Sequence, residues 1–460
     1  MDFSQALTDY PVIITEGAII ERLKRECNFE LDPYVANAGY IYNPAQKQKM
    51  KNMYKQYIYA TCVKSLPIVL FTPTWRASLE RIRQAQILDR DVNLDCFRFL
   101  SEIRDEYEHY AEKIFIGGLI GCKGDAYNPE EALSAAEAEI FHSYQIERLI
   151  CAGVNFLIAE TLPSVSEALG IAKAMAVFDK PYILGFVIRD NGTLLDSTPL
   201  HKAIALIDEE VDCQPVGYVV NCVHPITFKK ALTNPINSSL RIERIIGLLG
   251  NTSTKSPEEL DNAVNLEFEE PQAWAEEMLN VKNEFGIKII GGCCGTNHHH
   301  IQSLVVQLAM HDLEIRKAVA DDSKVLTQIS FMSKRYWNYP EQYFEIWKDE
   351  LTITPSYIQN NIVYLAERDG QVLGYFSLVQ VDEGFWLEHI FIMPKCIGKG
   401  IGSKLIATLK SKCKELKIDK VNILSDPNAK GFYDKLGACY LGESPSNIEG
   451  RTVSIYEFNV

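Results

Sequence analysis

Cysteines in two places set the first chemical expectation. The stretch Ile289-Ile290-Gly291-Gly292-Cys293-Cys294-Gly295-Thr296 runs a short β-branched strand into two adjacent thiols cushioned by glycine. The stretch Gly217-Tyr218-Val219-Val220-Asn221-Cys222 does the same with one thiol. Neighbouring cysteines bridge each other poorly, because a disulfide wants Cα atoms ~4.4–6.8 Å apart and a dihedral that one trans peptide discourages. Side-by-side thiols suit a soft metal better, each thiolate binding zinc at ~2.3 Å. Alone, the adjacent pair reads as well as two small buried residues beside a turn. The third cysteine, in an equivalent place, favours the metal. A three-Cys set with an open fourth position is the catalytic pattern for zinc, and the lack of a CxxC pair argues against an iron–sulfur cluster. Three thiolates on a dication make an anionic centre, poor at activating water yet able to hold a substrate thiol as a nucleophilic thiolate. The expected chemistry is alkyl transfer to sulfur from an electrophilic carbon, such as a methyl on sulfonium or ammonium.

The elements that must bring these thiols together repeat from residue 12 to 295. Apolar, β-branched runs stand at 12–14, 68–71, 114–119, 155–158, 182–187, 217–220, 244–249 and 287–290. Helical-period segments such as 132–151 and 164–178 lie between them. Strands alternating with helices pair in parallel through right-handed crossovers. Eight of them in about 300 residues is the size of a closed (β/α)8 TIM barrel, in the α/β class. An open doubly wound sheet competes less well, since no dinucleotide glycine fingerprint follows the first strand. In a barrel, function gathers where the strands end. Those ends carry Glu16-Gly17, Thr72-Pro73-Thr74-Trp75, Glu160-Thr161, Asn221-Cys222 and Cys293-Cys294. Strands six and eight stand one strand apart, so three thiols can meet one ion. Cys27, Cys62, Cys96, Cys122, Cys151 and Cys213 read as core or surface fillers.

Bulk properties bound the alternatives. At 460 residues, two domains are the default. A net charge of -15 argues against nucleic acid or an anionic membrane as principal partner. No run of about 18 apolar residues predicts a membrane span. The start MDFSQALTDYP has no apolar core of a secretory signal, and 12 cysteines without framework spacing fit a reducing cytoplasm.

GYVVNC with IIGGCCGT, and FHSYQIERLICAGVNFLIAET before them, resembles the homocysteine S-methyltransferase family over about residues 10–312. The resemblance implies a zinc-dependent barrel, residues 1–312, that methylates L-homocysteine to methionine from a small donor: S-methylmethionine, S-adenosylmethionine or betaine. It implies Cys222, Cys293 and Cys294 as the Zn2+ ligands, with the homocysteine sulfur in fourth place. Glu160 matches an acid that holds the substrate's amino group. Glu16 stands where the family usually has Asp, and reads equally as a cap for the next helix. Thr72 and Thr74 match positions near the amino-acid end of homocysteine; Arg76 stands where other residues are commoner. Asp196-Ser197-Thr198 resembles a structural turn of the family, and Asn221 is expected to orient the Cys222 loop. His298-His299-His300 reads as a helix entry, since three consecutive side chains cannot face one ion.

After residue 312 the pattern turns antiparallel. Asp369-Gly370 and Asp382-Glu383-Gly384 signal hairpins, and Gly398-Lys399-Gly400-Ile401-Gly402 opens an amphipathic helix, presenting free N–H groups to a phosphate. LEHIFIMPKCIGKGIGSKLI with SDPNAKGFYDKLGACYLGE resembles GCN5-related N-acetyltransferases (GNAT), a smaller mixed α/β domain over residues 313–460. The resemblance implies that Gly398, Gly400 and Gly402 cradle the pyrophosphate of acetyl-CoA. Asn428 matches a cofactor contact and Tyr433 the acid that protonates the leaving thiolate. Ile397 replaces the usual Gln or Arg. Glu388 is placed to act as general base through a water toward an unidentified amine acceptor. Two further readings stand beside a bifunctional enzyme: only the acetyltransferase is active, or the C-terminal domain is a non-catalytic acetyl-CoA sensor.

Overall fold

In a computed structural model, residues 2–460 are described except 256–258, 260–267, 312, 369 and 383. Asp369 and Glu383 of the two expected hairpins, and Asp312 at the expected domain boundary, therefore lie outside the described residues. The chain divides into two compact units, Met1–Gln307 and Leu308–Val460.

The first unit is a closed parallel barrel with its strands in sequence order. They are β1 (Ile13–Thr15), β2 (Ile68–Phe71), β3 (Ile114–Gly121), β4 (Phe156–Leu162), β5 (Tyr182–Phe186), β6 (Gly217–Val223), β7 (Ile245–Gly250) and β8 (Ile289–Gly292). Closure comes from β1 pairing with β8, Ile13 opposite Ile289. The interior is filled by inward-facing Val69, Phe115, Phe156, Ile183, Val219 and Ile289. Phe3, on the short helix Phe3–Asp9, stacks on Phe156 at 3.8 Å between ring centroids and joins this core. A barrel packed in this way is a solid core, which leaves chemistry to the mouth.

Two strands run longer than their apolar stretches. β4 continues through Glu160 and Thr161, and β6 through Asn221 and Cys222, because parallel neighbours carry the ladder on past the hydrophobic residues. Both then break register, β4 against β5 between Ala159 and Leu162, and β6 against β7 between Asn221 and Val223. At each break a side-chain-bearing residue adopts left-handed backbone: Thr161 at φ 57 and Cys222 at φ 57. Bulges of this kind re-aim side chains beside active sites, and non-glycine residues in that conformation cost about 1–3 kcal/mol each.

The second unit is a seven-stranded sheet, counted among the described residues. Its strands are β9 (Glu314–Lys317), β10 (Ile362–Arg368), β11 (Gln371–Val381), β12 (Gly384–Ile392), β13 (Lys420–Ser425), β14 (Cys439–Pro445) and β15 (Thr452–Asn459). Their order is β14-β15-β13-β12-β11-β10-β9. β10–β11 and β11–β12 are antiparallel, as the two turn signals require. β12 and β13 are parallel and paired only over Phe385–Leu387 with Val421–Ile423. The helix Ile401–Leu416 buries Ile401, Leu405, Ile406, Leu409 and Cys413 in the core beneath the sheet.

Candidate active sites

The barrel mouth brings Cys222, Cys293 and Cys294 together, their sulfurs all within 4.8 Å of one another. Register explains it. Gly292 pairs with Gly250 on β7, and Gly250 pairs with Val223 on β6, so the residues flanking those pairs finish at one height. Gly291 and Gly292 permit the approach. A Cβ on Gly291 would lie 2.0 Å from Thr15 Oγ1 and 2.8 Å from the Thr15 carbonyl; one on Gly292 would lie 2.2 Å from Thr296 Oγ1. The turn beyond is held by Thr296, whose hydroxyl donates to the Cys293 carbonyl at 2.6 Å.

Asn221 ties the two bulges to each other. Its Oδ1 accepts the Thr161 N–H at 3.2 Å and its Nδ2 donates to Cys222 Sγ at 3.8 Å, while Asn251 Nδ2 donates to the Cys222 carbonyl at 3.1 Å. Asn221 is wholly buried. Crowding governs the thiols. Cys222 and Cys293 are raised well above the ordinary range, Cys222 chiefly by its contacts with the other two sulfurs and then by burial. Cys294 is lowered because it accepts from both neighbours. Three sulfurs this close share negative charge poorly unless a cation compensates them.

Beside them lies a cavity of about 280 Å³, walled by Ile19, Tyr54, Phe71, Trp75, Leu119 and Leu249 among others. Glu16, Thr72 and Glu160 also line it. Glu160 Oε1 is buried without a hydrogen-bond partner, and desolvation pushes its carboxyl up to about 8. Glu16 is raised by burial and by the nearby Glu160, and accepts the Phe71 N–H at 3.0 Å. It does not cap the helix Ile20–Cys27, whose N-cap is Ile19 without a side-chain bond. Thr72 donates to Thr74 at 2.7 Å, and Thr74 donates to the Leu119 carbonyl at 2.6 Å. These hydroxyls thus clamp β2 to β3, and Thr74 stands behind the lining.

Arg76 reaches the carbonyls of Cys122, Lys123 and Gly124 and so braces the loop after β3. Asp196 accepts the Val165 and Thr198 N–H groups, a turn-forming role. The histidine run opens the helix His298–His311; buried His300 bonds to Asn297 and to the Glu269 carbonyl. Two lining residues gave no sequence signal. Tyr127, on the loop after β3, has its phenol pushed up first by the Cys222 sulfur and then by burial. Glu21 accepts the Gly295 N–H and so steadies the turn that follows the cysteine pair.

The second unit has a cavity of about 500 Å³ that opens where β12 and β13 cease to pair. Gly398, Gly400, Gly402 and Ser403 form one end, with Gly400 at φ 84 as N-cap of the helix Ile401–Leu416, so free N–H groups and the positive dipole end face the space. Ile397 also lines this end. Glu388 occupies a bulge: Ser377 pairs with His389 and Leu378 with Leu387, leaving Glu388 as the extra residue. Its carboxylate accepts the Tyr357 hydroxyl. Tyr433 is buried and its hydroxyl is raised by desolvation, so it stays protonated. Asn428 lines the cavity and donates to the Tyr339 hydroxyl at 2.7 Å and to Asp426 at 3.2 Å.

Comparison with known proteins agrees with both halves. Residues 13–308 match the homocysteine S-methyltransferase family model, and residues 330–438 match the acetyltransferase (GNAT) family model. Homocysteine S-methyltransferase YbgG of Bacillus subtilis is 23% identical over 325 residues, covering 65% of this chain and 95% of that one. The 5-NmdU N-acetyltransferase of Pseudomonas phage PaMx11 is 28% identical over 137 residues, covering 28% of this chain and 89% of that one. The metallated form of the homocysteine methyltransferase MmuM from Escherichia coli superposes with a TM-score of 0.53 at 20% identity, covering 66% of this chain and 98% of that one, a likeness of fold. The chain is a transferase that belongs to the homocysteine S-methyltransferase family and carries a GNAT-family domain after the barrel.

Proposed function

We propose that residues 1–312 transfer a methyl group from a sulfonium or ammonium donor to the thiol of L-homocysteine, giving methionine, and that residues 313–460 transfer an acetyl group from acetyl-CoA to a small amine. One observation carries the first half: three convergent cysteines stand beside a buried carboxylate with an unused oxygen. The donor set fits zinc. Bonds of ~2.3 Å at tetrahedral angles separate sulfurs by about 3.8 Å, inside the 4.8 Å limit observed. Cys222, Cys293 and Cys294 would hold the ion, which when bound supplies a fourth position where a substrate thiol resides as thiolate.

The remaining work falls to the chain. Glu160 takes the substrate ammonium, and its unpaired Oε1 becomes satisfied only then. Phe71, Leu119 and Leu249 exclude water, which would otherwise solvate and blunt the nucleophile. Tyr54, Trp75 and Tyr127 offer aromatic surface to a cationic donor. The thiol gives up its proton to solvent as its sulfur is taken up as thiolate. The methyl carbon then gains a bond to sulfur as its bond to the donor atom breaks, and the donor atom leaves neutral.

In the second half, the amine nitrogen attacks the thioester carbonyl. The nitrogen–carbon bond forms as the carbon–sulfur bond breaks. Glu388 takes the amine proton through a water, and Tyr433 protonates the departing CoA thiolate. The glycine loop holds the pyrophosphate by its N–H groups. The acidic chain, at -15, gives a polynucleotide acceptor no electrostatic help. The test is a donor screen with the zinc-loaded full chain and homocysteine: methionine should form from S-methylmethionine, S-adenosylmethionine or betaine. Methionine from none of them would sink the methyl-transfer reading.

A further inference from the structure

The cavity of the second unit holds two carboxylates that make no ion pair among the described residues, and this bears on what is acetylated. Glu388 stands on its bulge and accepts the Tyr357 hydroxyl. Glu350 lines the same cavity, in the segment between the helices Glu341–Ile346 and Pro355–Asn360. Glu350 and Glu388 thus line one cavity; burial raises the Glu350 carboxyl, Lys334 draws it down, Glu388 raises it, and Arg451 draws it down.

The nearby cations are committed elsewhere. Lys334 Nζ lies 2.9 Å from Asp426 and over the Trp347 ring, and Arg451 lies 3.2 Å from the same carboxylate. Asp426 therefore answers both, and a third bond, from the Tyr339 hydroxyl at 2.7 Å, fixes it. Lys435, also on the lining, belongs to the short helix whose Phe432 packs at Gly402, by the glycine loop. Glu350, Glu388 and the part-exposed Trp337 line this same cavity.

The chemistry uses one acid and leaves the other. A nitrogen attacks only when neutral, so Glu388 is occupied in removing its proton. Glu350 then has no part in bond making, and among the described residues it makes no ion pair that would occupy its carboxylate. Resting on the acetyl-transfer reading above, we infer that the acceptor is a small diamine: one nitrogen is acetylated next to Glu388 while a second, cationic nitrogen is held by Glu350, with Trp337 against the carbon chain. An acceptor with a carboxylate in place of the second nitrogen would be repelled by both acids.

The experiment uses the full chain with acetyl-CoA and three amines of equal carbon length: diaminobutane, butylamine and γ-aminobutyrate, with products followed by mass. Diaminobutane should exceed butylamine by about tenfold in kcat/KM, with γ-aminobutyrate the poorest. In Glu350→Gln the preference for diamine over monoamine should shrink to about twofold. Butylamine matching diaminobutane, γ-aminobutyrate being best, or an unaltered preference in Glu350→Gln would each overturn the inference. Calorimetry with acetyl-CoA separates the two levels. If acetyl-CoA binds and none of the amines is acetylated, the diamine fails alone; if acetyl-CoA does not bind, the acetyl-transfer reading fails and takes the diamine with it.

Discussion

Both cavities set their principal side chains on bulged strands, but they hold them in opposite ways. At the barrel mouth, Thr161 and Cys222 sit in left-handed backbone, and the buried Asn221 amide couples one bulge to the other. On β12, Glu388 is an extra residue held by a tyrosine hydroxyl, and among the described residues of that strand only Gly384 has positive φ. The surroundings differ in the same sense. Glu160 is buried with an unsatisfied oxygen, whereas Glu388 is open to solvent. On the proposed reading, three sulfurs sharing one ion would tolerate displacements of only tenths of an ångström, and strain with a buried amide network would supply that rigidity. A base working through a water, the role proposed for Glu388, would tolerate slack. The contrast is between a site whose principal acid is buried and unpaired and one whose principal acid is exposed and held by a tyrosine hydroxyl.

The largest break in that contrast comes from removing a sulfur. Cys293→Ser should reduce bound zinc from about one per chain to a small fraction and lower methyl transfer by at least ~10³-fold, with acetyl transfer kept. Zinc by mass spectrometry and both assays on one preparation check it. Full zinc with ordinary methionine formation would remove the metal assignment. Adding acetyl-CoA to the methyl assay also tests the sensor reading, which requires a changed rate without acetyl-CoA consumption.

The next largest effect sharpens the comparison. Asn221→Ala should leave the three cysteines in place but free the Thr161 N–H and the Cys222 sulfur from their common partner. Loss of such outer support lowers metal affinity or turnover by about 10–100-fold. The readouts are zinc affinity by chelator competition and kcat for methyl transfer, with Asn221→Asp restoring the acceptor for Thr161 but not the donor to Cys222. If Asn221→Ala binds zinc as tightly as the parent chain, the strained bulges position themselves and the amide is incidental.

What could be read from residues alone divides along the same line. Alternating β-branched runs and helical periods gave the eight barrel strands, since burial on both faces selects those residues. Cys222, Cys293 and Cys294 were legible because thiols at strand ends are rare. The left-handed backbone at Thr161 and Cys222 was not, because neither residue is one that favours it; tertiary contacts impose it. Tyr127, Glu21 and Glu350 reach their cavities from loops or the start of a helix, where no periodicity records the path. Thr74 was legible as a threonine near the site, but its hydroxyl serves β3 rather than the cavity.

The smallest predicted effect follows from the burial of Glu160. Burial holds the Glu160 carboxyl at about 8, against an ordinary value near 4.5. Between those values the free folded site keeps the proton that the unfolded chain has lost. Folding then opposes deprotonation, so this group's contribution to stability declines as pH rises from about 4.5 to about 8 and is level above. Ligand binding runs the other way. A substrate ammonium needs the carboxylate, so below about pH 8 it must displace the proton, and affinity rises by about tenfold per pH unit toward that value. Norvaline separates this from thiol chemistry, since it keeps the ammonium and lacks the sulfur. Its dissociation constant, measured by calorimetry between about pH 6 and pH 8, should fall with that slope in the parent chain. In Glu160→Gln binding should weaken and the slope shrink to whatever Glu16, also raised by burial, supplies. A flat profile in the parent chain would mean that Glu160 is already ionised in the free site, and burial would then not distinguish it from the exposed Glu388.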